Sequence, residues 1–503
     1  MAQLRPWGPS HLRAHRGRTE SPYLIDSTAQ MSTDPAWRTC VRANSDYRGA
    51  MSFRFVDLFA GIGGFHAVGH ALGGECVYAV EIDASAASVY QRNWGIDPLG
   101  DVTADANDNR VTVPEHDVLF AGFPCQPFSK SGAQQGMEET RGTLYWNILR
   151  IIEARRPAFV LLENVRNLAG PRHQHEWEVI VETLRTEGYR VSDVPTVFSP
   201  HLLPPDRGGR PQVRERVFIA ATKTDDQSSL VADTVVRNQP VEGWNPHDWD
   251  LEVHLPLDPD HRVVGCDLSD SERLWIDAWD EFVVGMWELR EGKRLPGFPL
   301  WADAWRDAKA PIPTDTPKWK SDFLRKNAAF YGEHADFIDD WADRWGVYSD
   351  AFPPSRRKLE WQAQDTPNLW DTVMHLRPSG IRAKRPTYLP ALVAITQTSI
   401  IGPRQRRLSP REAARLQGLP DSFSFQGQAP ATTYRQLGNG VSVGAVWHVL
   451  REHVMNERKT LERTAPGLLD AVLQSPVGPD ALLASHEPAV VDLTLGLQES
   501  STV

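Results

Sequence analysis

The sequence predicts an α/β protein in which a Rossmann-like sheet carries a long inserted region of mixed α+β structure. Short apolar runs alternate with amphipathic helical segments between residues 53 and 221. That alternation is typical of βαβ units and of a mainly parallel sheet. The composition then changes, because twelve of the 18 tryptophans lie between residues 222 and 375. We interpret this change as a second folding unit inserted into the first.

Length and composition are those of a globular protein. The chain has 503 residues, of which 41% are hydrophobic and 24% charged, enough for about three compact units at ~150 residues each. No run approaches the ~20 apolar residues of a membrane helix, so we expect no membrane partner. The four cysteines lie too far apart for a zinc site or a disulfide framework. We therefore expect no metal and a reducing, cytoplasmic location.

The individual elements follow in chain order. Residues 1–52 show no apolar periodicity and are predicted to be a disordered extension, with Met31 and Met51 as alternative start sites. Apolar runs predict strands at Phe53–Phe59, Glu75–Val80, Asp117–Ala121, Ala158–Leu162 and Arg216–Ala221. Helical periodicity predicts helices at Gly64–Leu72, Ser85–Trp94, Thr143–Arg155 and Trp177–Glu187. Because ligands of such sheets bind at the carboxyl ends of the strands, we expect functional residues directly after each run.

Charge divides the rest of the chain. Residues 222–375 hold 17 Lys and Arg against 30 Asp and Glu. They are predicted to form the inserted domain, which follows a first domain at 53–221. Residues 376–455 hold 11 Lys and Arg against 3 Asp and Glu, and they are predicted to close the insert and return to that domain. Here Ser409–Glu412 forms a capping box with proline at the first helical position. Residues 456–503 are predicted to be a mobile tail.

A glycine-rich turn follows the first strand. In Asp57–Gly64 a strand leads through glycines into a helix, whose free N–H groups suit a closely approaching ligand. Glu81 ends the next strand 20 residues after Gly61, where a carboxylate meets ribose hydroxyls. His66 occupies the position of the third glycine in the dinucleotide fingerprint, which favours an adenosine-type cofactor. The alternative is a tight turn without a ligand.

Three later segments place reactive side chains at strand ends. Cys125 follows the third strand between two prolines, and a thiolate held there is a strong nucleophile, although a lone cysteine is more often a buried apolar residue. Glu163 ends the fourth strand, where burial raises a carboxyl pKa and favours proton donation; a solvated acid is the alternative. Arg214 and Arg216 are predicted to share one face of a strand and bind an anion, unless they form only surface salt bridges.

Together and in this order, these segments resemble the motifs of the DNA cytosine-5 methyltransferase family. The resemblance depends on six stretches within residues 53–450, namely Asp57–Gly64, Gly122–Gln126, Glu163–Val165, Gln212–Arg216, Arg407–Glu412 and Gln436–Gly440. It implies an S-adenosylmethionine-dependent methyltransferase sheet, with residues 222–375 as a target-recognition domain. It also implies methyl transfer from S-adenosylmethionine to C5 of a cytosine flipped out of duplex DNA, by a sequence-specific enzyme of restriction–modification or phage defence.

The resemblance implies roles for individual residues. Cys125 would attack C6 of the cytosine, Glu163 would hold or protonate N3, and Arg214 and Arg216 would steady the base and the closed loop. The residues implied in cofactor binding are Asp57, Phe59, Ala60, Gly61, Gly63, Gly64, Glu81, Ile82, Asp101, Val102, Pro124 and Asn439.

Binding to double-stranded DNA needs a positive face rather than a positive total, so the net charge of −11 does not exclude it. The residues expected at DNA are Gln126, Ser129, Arg141, Arg356, Arg357, Lys358, Arg404 and Arg407, with 318–320 as a further basic spot. Arg356 or Arg357 is the expected reader of guanine, unless these cations only neutralise nearby carboxylates. An RNA cytosine-5 methyltransferase and a silent DNA-binding regulator stay open as alternatives. We expect a monomer at the bacterial nucleoid, with a cognate restriction endonuclease or other defence proteins as partners.

Overall fold

The computed structural model describes residues 52–124, 143–226, 228–255, 257–392 and 398–489. The predicted N-terminal extension up to residue 51 lies outside this part, as do four predicted site residues, Cys125, Gln126, Ser129 and Arg141. No helix within the described ranges is long and apolar enough to span a membrane. The same ranges contain no group of three or more side chains placed to hold a metal ion.

The main sheet is mixed rather than mainly parallel. Its strands are β1 (Arg54–Leu58), β2 (Glu75–Val80), β3 (Val118–Gly122), β4 (Phe159–Val165), β5 (Tyr189–Ser192), β6 (Thr196–Phe198), β8 (Arg216–Lys223) and β9 (Val231–Ala232). They lie in the order β2-β1-β3-β4-β8-β5-β9, with β6 also paired to β8. Strands β1 to β4 run parallel, as predicted, but β8 is antiparallel to β4, β5 and β6. No α-helix separates β6 from β8, and a parallel return needs such a crossover.

Helices cover both faces of this sheet. They are α1 (Gly64–Ala71), α2 (Ala84–Trp94), α3 (Val102–Asp105), α4 (Leu144–Arg155) and α5 (Gln174–Thr186), and they include the four predicted ones. Phe55 and Phe120 pack with α1 and α2 on one face, whereas Val56 and Leu119 pack with α4 and α5 on the other. Because both faces are buried, the strand ends are the part of the sheet left for a ligand.

The insert adds a second mixed sheet packed against helices. Its strands are β10 (Leu300–Trp301), β11 (Lys358–Gln362), β12 (Val373–Arg377), β13 (Gly380–Lys384), β15 (Ile400–Ile401) and β16 (Arg406–Arg407), in the order β10-β11-β13-β12-β15-β16. Its helices are α7 (Asp270–Leu289), α8 (Ala302–Arg306) and α9 (Lys318–Trp345), and the short helix α6 (Leu251–His254) precedes them. Trp279, Trp305 and Trp341 are fully buried in the core between α7, α8, α9 and the sheet. These three tryptophans are therefore core residues of the insert.

The structure places no boundary at residue 375. Strand β12 runs through that position, and its sheet continues to Arg407. At the other end of the insert, β9 pairs with β5 of the main sheet, and Leu251 and Leu255 belong to the main core. The core of the insert therefore begins at about Leu268, because packing rather than net charge decides which residues fold together.

Residues after 407 return to the main sheet and stay helical. The helices are α10 (Pro410–Gln417), α11 (Pro430–Asn439), α12 (Val443–Asn456), α13 (Arg458–Thr464), α14 (Pro466–Gln474) and α15 (Asp480–Leu483), and β14 (Leu389–Pro390) pairs with β7 (Gln212–Val213). The capping box of α10 is confirmed, with Ser409 and Glu412 bonded reciprocally. The predicted mobile tail is wrong up to residue 489, because Leu468 and Val472, one helical turn apart, are fully buried in the main core.

Candidate active site

A cavity of about 500 Å³ lies at the carboxyl ends of β1 to β4. Its walls come from the residues that directly follow these strands and from the end of α11, and they include Phe59–Ile62, Glu81–Asp83, Phe123, Pro124, Glu163–Val165 and Gly438–Val441. Each segment reaches the cavity because parallel strands end at one edge of the sheet. Five of the six motif stretches, although scattered along the sequence, thus meet at this cavity, and only Arg407–Glu412 does not line it.

The turn after β1 is held in an unusual backbone conformation. Phe59 has a φ of +55°, which is rare for a residue with a side chain, and such strain clusters at ligand sites. Gly61 also has a φ of +55°, and a Cβ at this position would meet no atom within 4 Å. Both residues line the cavity, so the turn presents backbone and an aromatic ring to it.

Glu81 fixes the floor of the cavity. Its carboxylate accepts a 2.8 Å hydrogen bond from the N–H of Gly61 and another of 2.8 Å from the N–H of Asp83. Next to it, Ile82 is 74% exposed although it is apolar. Asp101 caps α3 by accepting a bond from the Thr103 N–H at 2.9 Å, and its side chain borders the same cavity.

Ten of the twelve predicted cofactor residues line the cavity, and Asp57 and Gly63 do not. The side chain of Asp57 is fully buried behind the turn, close to the N–H of His66 and the hydroxyl of Tyr90. Burial raises the pKa of Asp57 well above its usual value. Gly63 (φ +92°) packs on Trp94, since a Cβ there would lie 2.1 Å from the indole nitrogen. Glycine is therefore needed at position 63 to make room for Trp94.

Glu163 and Arg216 face each other on the cavity wall. Glu163 is 7% exposed and lies opposite Gly122 in the parallel pairing of β4 with β3. The Arg216 Nε lies 3.0 Å from its Oε1. Burial raises the pKa of Glu163, and the charges of Arg216 and Arg214 oppose that shift in part. The neighbouring Asn164 donates its side-chain amide to the carbonyl of Phe123 at 2.8 Å, which ties the ends of β3 and β4 together.

Arg214 does not point into the cavity, contrary to the prediction that it shares a face with Arg216. It lies between β7 and β8 rather than on one continuous strand, and it is 1% exposed. Its guanidinium donates to the carbonyls of Leu392 (2.8 Å), Gly438 (2.8 Å) and Gly440 (2.5 Å). Burial lowers the pKa of Arg214 to about 9, and the charge of Arg216 adds to the shift. Arg214 thus holds the end of α11 against the cavity.

The sequence analysis missed two polar residues at the end of α11 that border the cavity. Arg435 lies 3.4 Å from the carboxylate of Asp83, and Gln436 donates to the Ser85 hydroxyl at 3.2 Å. Both side chains line the cavity wall. Gln436 is the first residue of the predicted Gln436–Gly440 motif and Arg435 directly precedes it, so the motif itself was the available signal.

The predicted DNA-contacting cations of the insert are paired within the protein. Arg356 is only 9% exposed; it donates to the Arg377 carbonyl at 2.8 Å and lies 5.2 Å from the Trp275 ring centroid. Arg357 lies 3.1 Å from Asp303, Lys358 lies over Trp301, Arg404 pairs with Glu252, and Arg407 pairs with Glu272. The burial of Arg356 argues against its expected role as a reader of guanine.

A different set of cations lies, half-buried, on the face of the second sheet opposite the core of the insert. Strand alternation puts Leu359, Ile381 and Leu376 in the core, so Arg377, Arg382 and Lys384 lie on the other face together with His375. We call these four residues the basic face. Arg382 pairs with Glu360, whereas no carboxylate of the described residues lies within 4.0 Å of Arg377 or Lys384. The charges of Arg377, Lys384 and Arg382 add to burial in lowering the pKa of His375 to about 3.

Comparisons with known proteins bear on this site. A family model described as C-5 cytosine-specific DNA methylase matches residues 53–455. The chain is 50% identical to the type II methyltransferase M.AluI of Cellulosimicrobium cellulans, over 86% of this chain and 98% of that protein. It is 29% identical to the type II methyltransferase M.HhaI of Haemophilus parahaemolyticus, over 79% of this chain and 92% of that protein. A putative DNA modification methyltransferase encoded within an E. coli prophage aligns at a TM-score of 0.44 and 19% identity, over 82% of this chain and 100% of that chain.

Proposed function

The chain belongs to the C-5 cytosine-specific DNA methylase family, and on that premise we propose how its residues divide the reaction. As a DNA (cytosine-5-)-methyltransferase it acts on DNA and uses S-adenosylmethionine. We propose further that it is the sequence-specific modification enzyme of a type II restriction–modification system, since a relative 50% identical to it is a type II methyltransferase. One observation supports the residue roles: a single cavity joins Glu81 and the glycine turn to Glu163 and Arg216.

The residues around the glycine turn fit S-adenosylmethionine. Glu81 presents a carboxylate for the ribose hydroxyls, and Phe59 and the exposed Ile82 offer apolar surface for the adenine ring. Asp101 is placed to accept from the adenine amino group, and Asn439 lies on the opposite wall, where the methionine end would lie. When bound, the cofactor supplies the methyl group for C5.

The remaining chemistry is carried out by Cys125 and Glu163, and Arg216 supports Glu163. The Cys125 thiolate forms a bond to C6 of the flipped cytosine, and the electron pair displaced from the ring makes C5 nucleophilic. Glu163 donates a proton to N3 in that step, for which its raised pKa is suited. Arg216 keeps the Glu163 carboxyl in place. After methyl transfer C5 loses its proton to a base and the Sγ–C6 bond breaks. N3 then returns its proton to Glu163, and the ring is restored.

The basic face is the proposed surface for the DNA backbone. His375 and Arg377 border a small pocket that also contains Leu392, whose carbonyl is bound by Arg214. Through Arg214, which also binds the carbonyl of Gly438 on the cavity wall, this side of the basic face is linked to the active-site cavity. Base flipping costs a few kcal/mol, and phosphate contacts by Arg377, Arg382 and Lys384 would contribute to offsetting it.

An aromatic strip extends the basic face at its far edge. Lys358 lies 5.0 Å from the Trp301 ring centroid, Trp301 lies 5.8 Å from Phe323, and Phe323 lies 6.3 Å from Trp319. Trp319 is 60% exposed and stands between Lys318 and Lys320. An exposed indole with two flanking cations suits contact with DNA beyond the target bases.

The first experiment is expression in a methylation-free bacterial host, followed by bisulfite mapping of 5-methylcytosine in the host DNA. We expect one short motif to be methylated at a fixed cytosine, and DNA carrying it to resist a nuclease of the same specificity. Cys125→Ala should abolish the signal and Glu163→Gln should reduce it strongly, whereas Glu178→Gln on the exposed side of α5 should leave it unchanged. Methylation of RNA alone, or binding without methylation, would contradict the proposal.

The DNA surface has a separate test. Arg377→Gln and Lys384→Gln should weaken DNA binding and each reduce the slope of log affinity against log salt by about 0.9. Arg325→Gln is the matched control, because this cation lies on α9 and pairs with Asp322. Unchanged slopes for both variants would remove the basic face from the interface, without touching the assignment of the cavity.

A further inference from the structure

The C-terminal segment, residues 476–489, packs against the back of the glycine turn. It lies beyond residue 455, where the match to the family model ends. Leu483 is buried in the main core, and the N–H of Ala489 donates to the carbonyl of Asn93 at 3.4 Å. The segment therefore reaches the helix pair α1 and α2, whose first residues border the cavity.

Trp94 connects α2 to the turn. Its indole Nε1 donates a 3.1 Å hydrogen bond to the carbonyl of Ile62, and Ile62 lines the cavity. Gly63 provides the space that the indole occupies, since a Cβ there would overlap with Nε1. The conformation of Gly61–Gly63 thus depends on where the indole of Trp94 lies.

Two imidazole rings hold that indole in place. His66 of α1 stacks on Trp94 with centroids 4.4 Å apart and an interplanar angle of 27°, and His486 packs on it at 4.5 Å and 34°. His486 also makes an edge contact with His70 at 5.5 Å. His486 is 7% exposed, so its ring is a core contact although it comes from a terminal segment.

The segment is also anchored to α12, the helix that follows the Gly438–Val441 wall of the cavity. The indole of Trp447 in α12 donates to the carbonyl of Val477 at 3.0 Å, and α12 begins directly after the Gly438–Val441 wall. Asp480 pairs with Arg210 at 2.8 Å. The C-terminal segment therefore spans from the α12 side to the turn side behind the cavity.

We propose that His486 is a positioning residue for S-adenosylmethionine: through Trp94 it keeps the Gly61–Gly63 turn in the conformation that receives the cofactor. The inference rests on the proposed placement of the cofactor in this cavity. A glycine-rich turn samples other conformations unless its neighbours restrict it, and apparent affinity falls in proportion to the fraction of competent protein. Loss of the His486 ring should therefore act on cofactor binding and spare the DNA site.

The test compares three variants of the full chain. His486→Ala should raise the Kd and KM for S-adenosylmethionine about fivefold, corresponding to loss of one aromatic pair, with kcat and the KM for DNA unchanged. His486→Phe keeps a ring on Trp94 and should restore wild-type values. Glu487→Ala, which removes the exposed neighbouring side chain, is the matched control and should behave as wild type.

Two outcomes would overturn the inference. One is a lowered unfolding temperature for His486→Ala with an unchanged Kd for S-adenosylmethionine, which assigns the ring to stability alone. The other is an equal rise of the KM for DNA. Glu81→Ala separates this inference from the proposed function: if that variant also binds the cofactor normally, the assignment of the cavity fails, whereas a normal Kd in His486→Ala alone refutes only the role of the C-terminal segment.

Discussion

Arg214 and Arg216 stand two residues apart in one motif, yet their surroundings predict opposite consequences of replacement. Arg214 is fully buried and donates to three backbone carbonyls. Arg216 borders the cavity and contacts Glu163. We expect Arg214→Met to reduce stability and cofactor binding together, and Arg216→Met to reduce turnover with little change in stability.

The magnitudes follow from these contacts. A hydrogen bond from a charged donor contributes about 1.5–3 kcal/mol, so three of them contribute at least about 4.5 kcal/mol. The desolvation of a buried cation offsets part of that sum, which leaves a loss of about 3 kcal/mol for Arg214→Met. Removing Arg216 leaves Glu163 buried without its partner, but Glu163 can take up a proton, so the loss of stability should stay below about 1 kcal/mol.

Urea unfolding and steady-state kinetics test the contrast. Arg214→Met should shift the unfolding midpoint downward and raise the KM for S-adenosylmethionine, because the Gly438–Val441 wall loses its attachment. Arg216→Met should keep the midpoint and lower kcat about 100-fold or more, as does the loss of one electrostatic contact to the reacting group. Equal midpoints for the two variants, or equal losses of kcat, would refute the division of roles.

Three further predictions follow. The rate of methyl transfer should fall as pH rises through the raised pKa of Glu163, because only the protonated carboxyl donates. This fall should be absent from the pH profile of Glu163→Gln. If the variant shows the same fall, another group causes it. Gly63→Ala should lower the unfolding temperature more than Gly61→Ala, since only the former collides with a neighbour; the reverse order in a thermal scan contradicts the geometry. Burial lowers the pKa of His453 to about 4, so the stability that the neutral ring contributes is present above pH ~6.5 and is lost as pH falls toward 4. In His453→Leu the unfolding temperature should therefore depend less on pH over this range. A curve parallel to that of the wild type would contradict this role of His453.

The first half of the fold was predictable because local signals agree with the tertiary structure. Strands β1 to β4 are short apolar runs, and the helices between them have clear periodicity. The capping box at Ser409–Glu412 marked the start of α10 to the residue. By contrast, the antiparallel direction of β8 depends on a connection without an α-helix, and a sequence does not state which edge of the sheet such a connection reaches.

The site was predictable as a set of segments but not as a set of side-chain directions. Asp57 lies two residues after Phe55 in β1, so strand alternation turns it toward the same core as Phe55 rather than toward the cavity. Gly63 was assigned to the cofactor because glycines accompany close ligands, but the close neighbour is Trp94, 31 residues away in the sequence. A turn motif identifies where a ligand lies, whereas tertiary packing decides which of its residues touch the ligand.

The charge pattern shows the same limit and explains how an acidic protein presents a surface for DNA. The acidic block 222–375 and the basic block 376–455 predicted two units, but residues of both blocks, from about 268 to 407, form one layered structure of helices packed on the second sheet. Helices α7 and α9 carry exposed acids such as Asp277, Asp339 and Asp343 on their outer side, while their apolar side packs on the sheet that bears the basic face. Since exposed charges separated by more than about 8–10 Å are largely screened in physiological salt, the acids behind the core leave the field at Arg377 and Lys384 positive. The net charge of −11 is therefore compatible with DNA binding, because the core of the insert separates the two signs of charge.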